Sequence, residues 1–315
     1  MKATYLLRRL ATAAVTLVLA SLLVYGALLV IPGDPAEAIL GMNAAPETVA
    51  ALRERLGLDR PPLARYAGWA AGALRGDLGV SIRYDRPVTA LVAASLRVTL
   101  PLVGGSALLA LAIALPAGTL AAARRGTALE LPMVALAQAG LAVPTFWLGL
   151  LLILLFGVRL GWLPTTGFVD WRVSPGGALR SLVLPVVALG LGQAAVLTRV
   201  VRASVLEALG QDFVRTARAK GLGEGAVVVR HALRAGLLGI VTVSGALFGQ
   251  LLAGAIVVES VFALPALGRL ALTAVEARDF PLVQGIVLAL AALIVLANLA
   301  VDLLYGWLDP RVRRA

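Results

Sequence analysis

LVQGIVLALAALIVLANLAVDLLY, residues 282–305, carries one charged side chain, Asp302, in 24 positions. As a helix rising about 1.5 Å per residue it would be roughly 36 Å long, enough to cross the ~30 Å hydrocarbon of a bilayer. In lipid every backbone N–H and C=O must be bonded internally, so the stretch predicts a helix. Its unbroken apolar run also lacks the alternation of a barrel strand. Working outward, five further stretches qualify: 10–31, 99–122, 131–158, 182–201 and 237–262. The predicted fold class is an all-α integral membrane protein of about six spans.

Composition agrees. Of 315 residues 60% are hydrophobic and only 14% charged, where a soluble globule has about a quarter charged. The absence of cysteine excludes disulfides, iron-sulfur clusters and thiol catalysis. One His and three Met supply transition-metal sites poorly, so no metal site is expected. A net charge of +11 would suit nucleic acid only as a stripe on a soluble surface. Here the basic residues lie between apolar runs, which points to anionic lipid headgroups rather than nucleic acid.

Their distribution sets the orientation. With residues 1–9 and 307–315 cytoplasmic, fifteen Lys and Arg fall on that side, among them Lys2, Arg8, Arg9, Arg124, Arg125, Arg199, Arg202, Arg311, Arg313 and Arg314. The opposite short loops carry five: Arg159, Arg172, Arg180, Arg269 and Arg278. Both termini are therefore expected inside, and the long loop 32–98 outside. The first apolar run exceeds a signal peptide's core and lacks a small-x-small cleavage pattern, so it is expected to be retained as a span. Two short helices are expected in the outer loop. One begins at Pro46 and Glu47 and stops at Gly57; the other runs from Pro62 to Gly76, with Leu63, Tyr66, Ala70 and Leu74 available for packing. They make a cap over the spans, a docking surface, or both.

Residues 202–236 form a cytoplasmic loop of helix, glycine break, helix. Asp212 can cap the first helix, Arg218 and Lys220 suit its C-terminal dipole, and Gly221 can take the left-handed stop that thrusts Leu222 outward. Glu224 opens the second helix, in which Val227, Val228, His231 and Ala232 can share a face. From the residues alone, the loop either is gripped by another protein or lies on lipid.

EALGQDFVRTARAKGL, residues 207–222, resembles the cytoplasmic loop of permeases of binding-protein-dependent ABC importers, specifically the dipeptide/oligopeptide/nickel group. The family motif is Glu-Ala-Ala, three residues, then Gly; Arg215, Thr216, Ala217 and Gly221 hold those places. Also similar are LRR at 7–9, PGDPA at 32–36, LGLD at 56–59, GDLG at 76–79, VESVF at 258–262, PALG at 265–268, ARDFP at 277–281 and DPR at 309–311. The outer loop's size resembles the first-named permease of the pair. Gly239 departs from the family's usual Pro, which leaves the junction of loop and span less rigid. The resemblance implies a type I importer permease that pairs with a second permease subunit around a path for short peptides. It further implies two ATPase subunits, which carry ATP and Mg, and an extracytoplasmic substrate-binding protein. Asp212, Arg215, Thr216, Ala217, Lys220, Gly221 and Leu222 would form the ATPase-coupling loop.

The residues agree on energy. A phosphate loop needs Gly-x-x-x-x-Gly-Lys-Ser/Thr, and the only lysines, Lys2 and Lys220, have no such context. No cofactor is therefore expected on this chain, nor an enzymatic role. Gln138, Gln193, Gln250 and Asn298 are the mid-span polar side chains, either lining a path or bonding helices together. Glu259 and Asp302 lie near span ends and either pair structurally or line the path, with Arg199 a partner for Asp302. Gly245, Gly249 and Ala253 place a small residue every fourth position, inviting close approach of a helix. A self-sufficient secondary transporter would need coupling charges or inverted repeats, neither of which is clear. An intramembrane hydrolase lacks a Ser-His pair, His231 being the sole histidine.

Overall fold

The computed structural model describes residues 3–30, 36, 45–55, 58–128 and 130–308. Lys2, the PGDP of residues 32–35, Gly57, and the basic tail with Arg311, Arg313 and Arg314 lie outside the described residues. Among the described residues there is no strand, only an isolated bridge between Val80 and Pro87. The helices are α1 (Ala3–Val30), α2 (Pro46–Arg55), α3 (Pro62–Leu74), α4 (Val88–Ala123), α5 (Glu130–Ala142), α6 (Thr145–Leu152), α7 (Pro175–Leu209), α8 (Asp212–Ala219), α9 (Glu224–Val261), α10 (Leu267–Glu276) and α11 (Phe280–Leu308). Below, the basic end is that of Arg9 and α8, and the loop end that of α3 and α10.

Among the described residues five helices, α1, α4, α7, α9 and α11, are long and apolar enough to cross a membrane. The stretch 131–158, expected as one span, is instead broken into α5 and α6. The physical cause is Pro144, which has no N–H for the turn before it and holds Val143 out of helical geometry. Helix α6 runs on as a π-helical stretch, Ile153–Arg159. Pro101 and Pro116 in α4 and Pro185 in α7 do not break their helices, because neighbouring helices and Ser/Thr side chains can satisfy freed backbone groups in a membrane bundle.

Helices α4 and α7 form the heart of the bundle. A Cβ on Gly118 would lie 2.7 Å from the Thr198 carbonyl oxygen, and one on Gly190 3.1 Å from that of Ser106. These two glycines let the backbones touch, as small residues do where lipid gives no hydrophobic drive. Around this contact Leu102, Leu184 and Leu189 pack with Leu251, Ala255 and Val258 of α9 and with Phe262 just past its end. Helix α7 starts cleanly: Ser174 Oγ accepts from Gly177 N at 3.0 Å, with Pro175 in the first turn.

Helix α1 lies at the edge, against α11 and α3. Arg9 pairs with Asp302 at 2.9 Å, so Arg199 is not the partner expected for it. Tyr66 joins α3 to α1: its hydroxyl meets Ser21 Oγ at 2.8 Å and its ring lies tilted against that of Tyr25, 5.4 Å between centroids. Leu63 and Leu74, expected to pack, are 80% and 91% exposed. The small-residue row of α9 divides: a Cβ on Gly245 would lie 3.1 Å from Val301 of α11, one on Gly249 would meet nothing within 4 Å, and Ala253 is exposed.

Candidate functional site

The loop from α7 to α9 is built around a left-handed glycine. Helix α8 ends in a Schellman motif: Gly221, at φ +78°, donates its N–H to Arg218 O at 2.9 Å, and Leu222 N–H reaches Ala217 O at 3.4 Å. Arg218 then closes the turn with a two-pronged bond to Glu224, Nε to Oε2 at 3.0 Å and Nη2 to Oε1 at 2.6 Å. That bond holds the Glu224 carboxylate below the ordinary glutamate range. The clasp joins residues six apart across a glycine turn, a pairing that helix-face spacing does not suggest.

Beneath the turn, Val214 and Ala217 are buried against Val227 and Leu209. Phe213, Arg215, Thr216, Lys220 and Leu222 are left exposed, Phe213 and Leu222 by 40% and 42%. Asp212 does not cap α8 as expected. Gln211 occupies the cap position without a side-chain bond, and Asp212 is the first helical residue, 3.6 Å from Arg215. Its charge still opposes the positive pole of the helix. Of the face expected on the second helix, Val227, Val228 and Ala232 are buried and His231 is half-buried.

A neighbouring tie steadies this end. Glu130, which opens α5, accepts from Gly126 N at 2.7 Å and pairs with Arg202 of α7. The Gly126 N–H, then the Arg202 guanidinium, hold its carboxyl below the usual value.

At the loop end two fully buried carboxylates serve the fold. Glu259 accepts from Thr99 Oγ1 at 2.9 Å and from Gly268 N and Arg269 N at 2.7 and 3.1 Å, anchoring the start of α10. Asp279 accepts from Ser81 Oγ at 2.5 Å, Arg83 N at 3.0 Å and Leu282 N at 3.2 Å, which ties the turn before α4 to the start of α11. Sequence reasoning missed the role of Asp279. Its signal was Asp one residue before the helix and Pro281 inside the first turn.

The four mid-span amides fall at similar depth. A Cβ on Gly254 would lie 3.0 Å from Leu189, so in antiparallel helices Gln250 is level with Gln193, one turn further on. The contact of Gly245 with Val301 puts Asn298 close to that level, and the contact of Gly140 with Ala195 puts Gln138 within about a turn of it. Gln138, Gln250 and Asn298 are exposed, and Gln193 is half-buried with Oε1 buried and unbonded. The exposed row of α9 around Gln250 is Thr242, Ala246, Ala253, Val257 and Ser260, mostly small or hydroxyl-bearing with the apolar Val257 among them. On α4 the exposed side chains include Leu100, Leu108 and Leu120, which suit lipid.

Comparison with known proteins matches this arrangement to one family. Residues 114–314 match the profile described as binding-protein-dependent transport system inner membrane component, and residues 2–102 the N-terminal profile of the same systems. A putative peptide transport system permease protein of Brucella melitensis biotype 1 is 43% identical, over 99% of each chain. The glutathione transport system permease protein GsiC of Escherichia coli O6:H1 is 40% identical, and the dipeptide transport system permease protein DppB of E. coli K12 39%, each over 98% of both chains. Among solved structures, inward-facing forms of the MetNI methionine ABC transporter superpose with TM-scores of 0.56 and 0.57 at 20% and 19% identity. Each covers 70% of this chain and 96% of the other, a likeness of fold. The chain thus belongs to the family of binding-protein-dependent transport system inner membrane components.

Proposed function

We propose that the chain is one of two permease subunits that enclose a path for short peptides across the inner membrane. Two ATPase subunits, which hold ATP and Mg, drive it from the cytoplasmic side, and a substrate-binding protein feeds it from outside. The observation that carries this reading is the turn at Gly221. It is capped, clasped by Arg218 and Glu224, underpinned by Val214, Ala217 and Val227, and yet presents Phe213 and Leu222 uncovered. A stiff turn with an exposed apolar tip suits a cleft in a partner protein. A loop resting on lipid needs no such stiffness. Relatives named for transport of peptides, of a dipeptide and of glutathione support the cargo, the last two being short peptides. The exposed row of α9 around Gln250, with Gln138 and Asn298, is assigned to the path and the second permease.

The test is uptake of labelled dipeptide into liposomes holding the chain with its co-expressed permease, ATPases and binding protein. Uptake is expected only with ATP and both ATPases. Uptake by this chain alone under a proton or sodium gradient would overturn the reading. Orientation is checked separately in this cysteine-free chain. Arg60→Cys should react with an impermeant thiol reagent from outside, and Gly223→Cys only after the membrane is opened.

A further inference from the structure

Helix α9 does not enter the bundle as a regular helix. Glu224–Ala226 is α-helical, Val227–Leu233 is π-helical, and Arg234–Val261 is α-helical again. At the junction Arg234 N–H donates to His231 O, three residues back, so a tight turn follows the wide ones. The two ends of the π stretch pack on different bodies. Val227, fully buried, packs with Val214 and Ala217 of α8. Ala232, equally buried, packs in a cluster with Leu197, Val201 and Val205 of α7. Between them Val229 is 57% exposed and Arg230 is also exposed.

The geometry explains how one helix serves both. Five residues of α-helix turn through about 500°, which would leave Val227 roughly 140° away from Ala232. The i→i+5 repeat of a π-helix brings the two onto one face. That repeat carries a residue more than an α-helix needs, and helices bend at such sites. On one side lies a stiff head, closed by the Arg218–Glu224 clasp and the Schellman turn. On the other lies a tightly seated body, where a Cβ on Gly236 would stand 3.2 Å from the Ser204 backbone.

We propose that Val227–Leu233 is a flexure that lets the head tilt against the body of α9 during each ATPase stroke, an inference that rests on the coupling role proposed above. Deleting Val229 isolates the flexure from the packing. Val227 then lies four residues before Ala232, about 40° away in a plain α-helix, so both contacts survive while the extra residue is gone.

The experiment uses the complete complex in liposomes, native or with Val229 deleted. It measures assembly, disulfide cross-linking of Leu222→Cys to a cysteine in the ATPase cleft, basal and binding-protein-stimulated ATP hydrolysis, and ATP-driven dipeptide uptake. The expected result is unchanged assembly, cross-linking and basal hydrolysis, with stimulated hydrolysis and uptake lowered at least about tenfold, equivalent to ~1.4 kcal/mol on the limiting step. Native-level uptake in the deletion variant would overturn the flexure. So would failure to assemble both in this variant and in one lacking Arg230 instead, because the extra residue would then be needed for packing. A native complex without ATP-driven uptake would instead overturn the coupling reading itself.

Discussion

Replacing Gly221 by valine tests the coupling turn with little steric confusion. Gly221 sits at φ +78°, and a Cβ added there meets nothing within 4 Å, so the whole effect is carried by the backbone. The left-handed region costs a non-glycine residue about 1–2 kcal/mol. Opposing that are two turn hydrogen bonds, of 2.9 and 3.4 Å, each contributing about 0.5–1.5 kcal/mol net. The exposed Arg218–Glu224 pair adds about 0–1 kcal/mol. The penalty is therefore of the same size as the forces holding the turn. Since ~1.4 kcal/mol is tenfold in a population, the native turn should fall from dominant to one conformer among several. Helix α8, buried through Val214 and Ala217, should stay. The assay is binding-protein-stimulated ATP hydrolysis by the assembled complex, compared across Gly221, Gly221→Asn, Gly221→Ala and Gly221→Val. Asparagine tolerates the left-handed cap, so stimulation should decline in that order while complex yield stays level. Equal stimulation in all four would refute the reasoning, and a loss of assembly in the valine variant would show that the turn acts through folding instead.

Gly118→Ala should destabilise the bundle by about 1–3 kcal/mol, because its Cβ would stand 2.6 Å from that of Val201. Gly249→Ala, which meets nothing, should leave thermal inactivation of the detergent-solubilised chain unchanged. Asp279→Ala strands the donors of Ser81, Arg83 and Leu282 and should cost about 2–3 kcal/mol. Amide exchange should accelerate at Arg83 and Tyr84 and not in α8. Glu130 titrates below the ordinary 4.5 when folded. Its tie to Gly126 and Arg202 is therefore complete above that value and is lost as pH falls through the lower folded value. Glu130→Gln should remove this acid-sensitive part of the unfolding profile, and an unchanged profile would deny the tie any weight.

The helices were legible where lipid sets the rule. A continuous apolar run of bilayer length has few ways to fold, and residues 282–305 fall inside α11. Gly221 was legible for a local reason, since a glycine after a basic helix end is a stop wherever it occurs. What escaped depended on azimuth and on partners far along the chain. Which arginine meets Asp302 is decided by how α1 rather than α7 lies beside α11. The π stretch has no local signature, because it arises from the need of Val227 to reach α8 while Ala232 keeps its place on α7. The break at Pro144 could be read from its chemistry, but hydropathy averaged over a span hides one residue.

The acidic and amide side chains together support the proposal that this bundle is one half of an enclosure. Glu259 and Asp279 are buried at the loop end and are satisfied within the chain, half by N–H groups where α10 and α11 begin and half by Thr99, Ser81 and Arg83. Gln138, Gln250 and Asn298 are uncovered at mid-depth. An amide left unbonded in hydrocarbon costs about 2–7 kcal/mol, so three of them facing lipid would cost as much as a whole domain's net stability of about 5–15 kcal/mol. Leu100, Leu108 and Leu120 give α4 an exposed surface of large apolar side chains, the kind that suits lipid. We therefore propose that the uncovered amides and the exposed row of α9 around Gln250 belong to a face that lipid does not reach. In the function proposed above, a second permease and a hydrated path between the two subunits are the partners assigned to those amides.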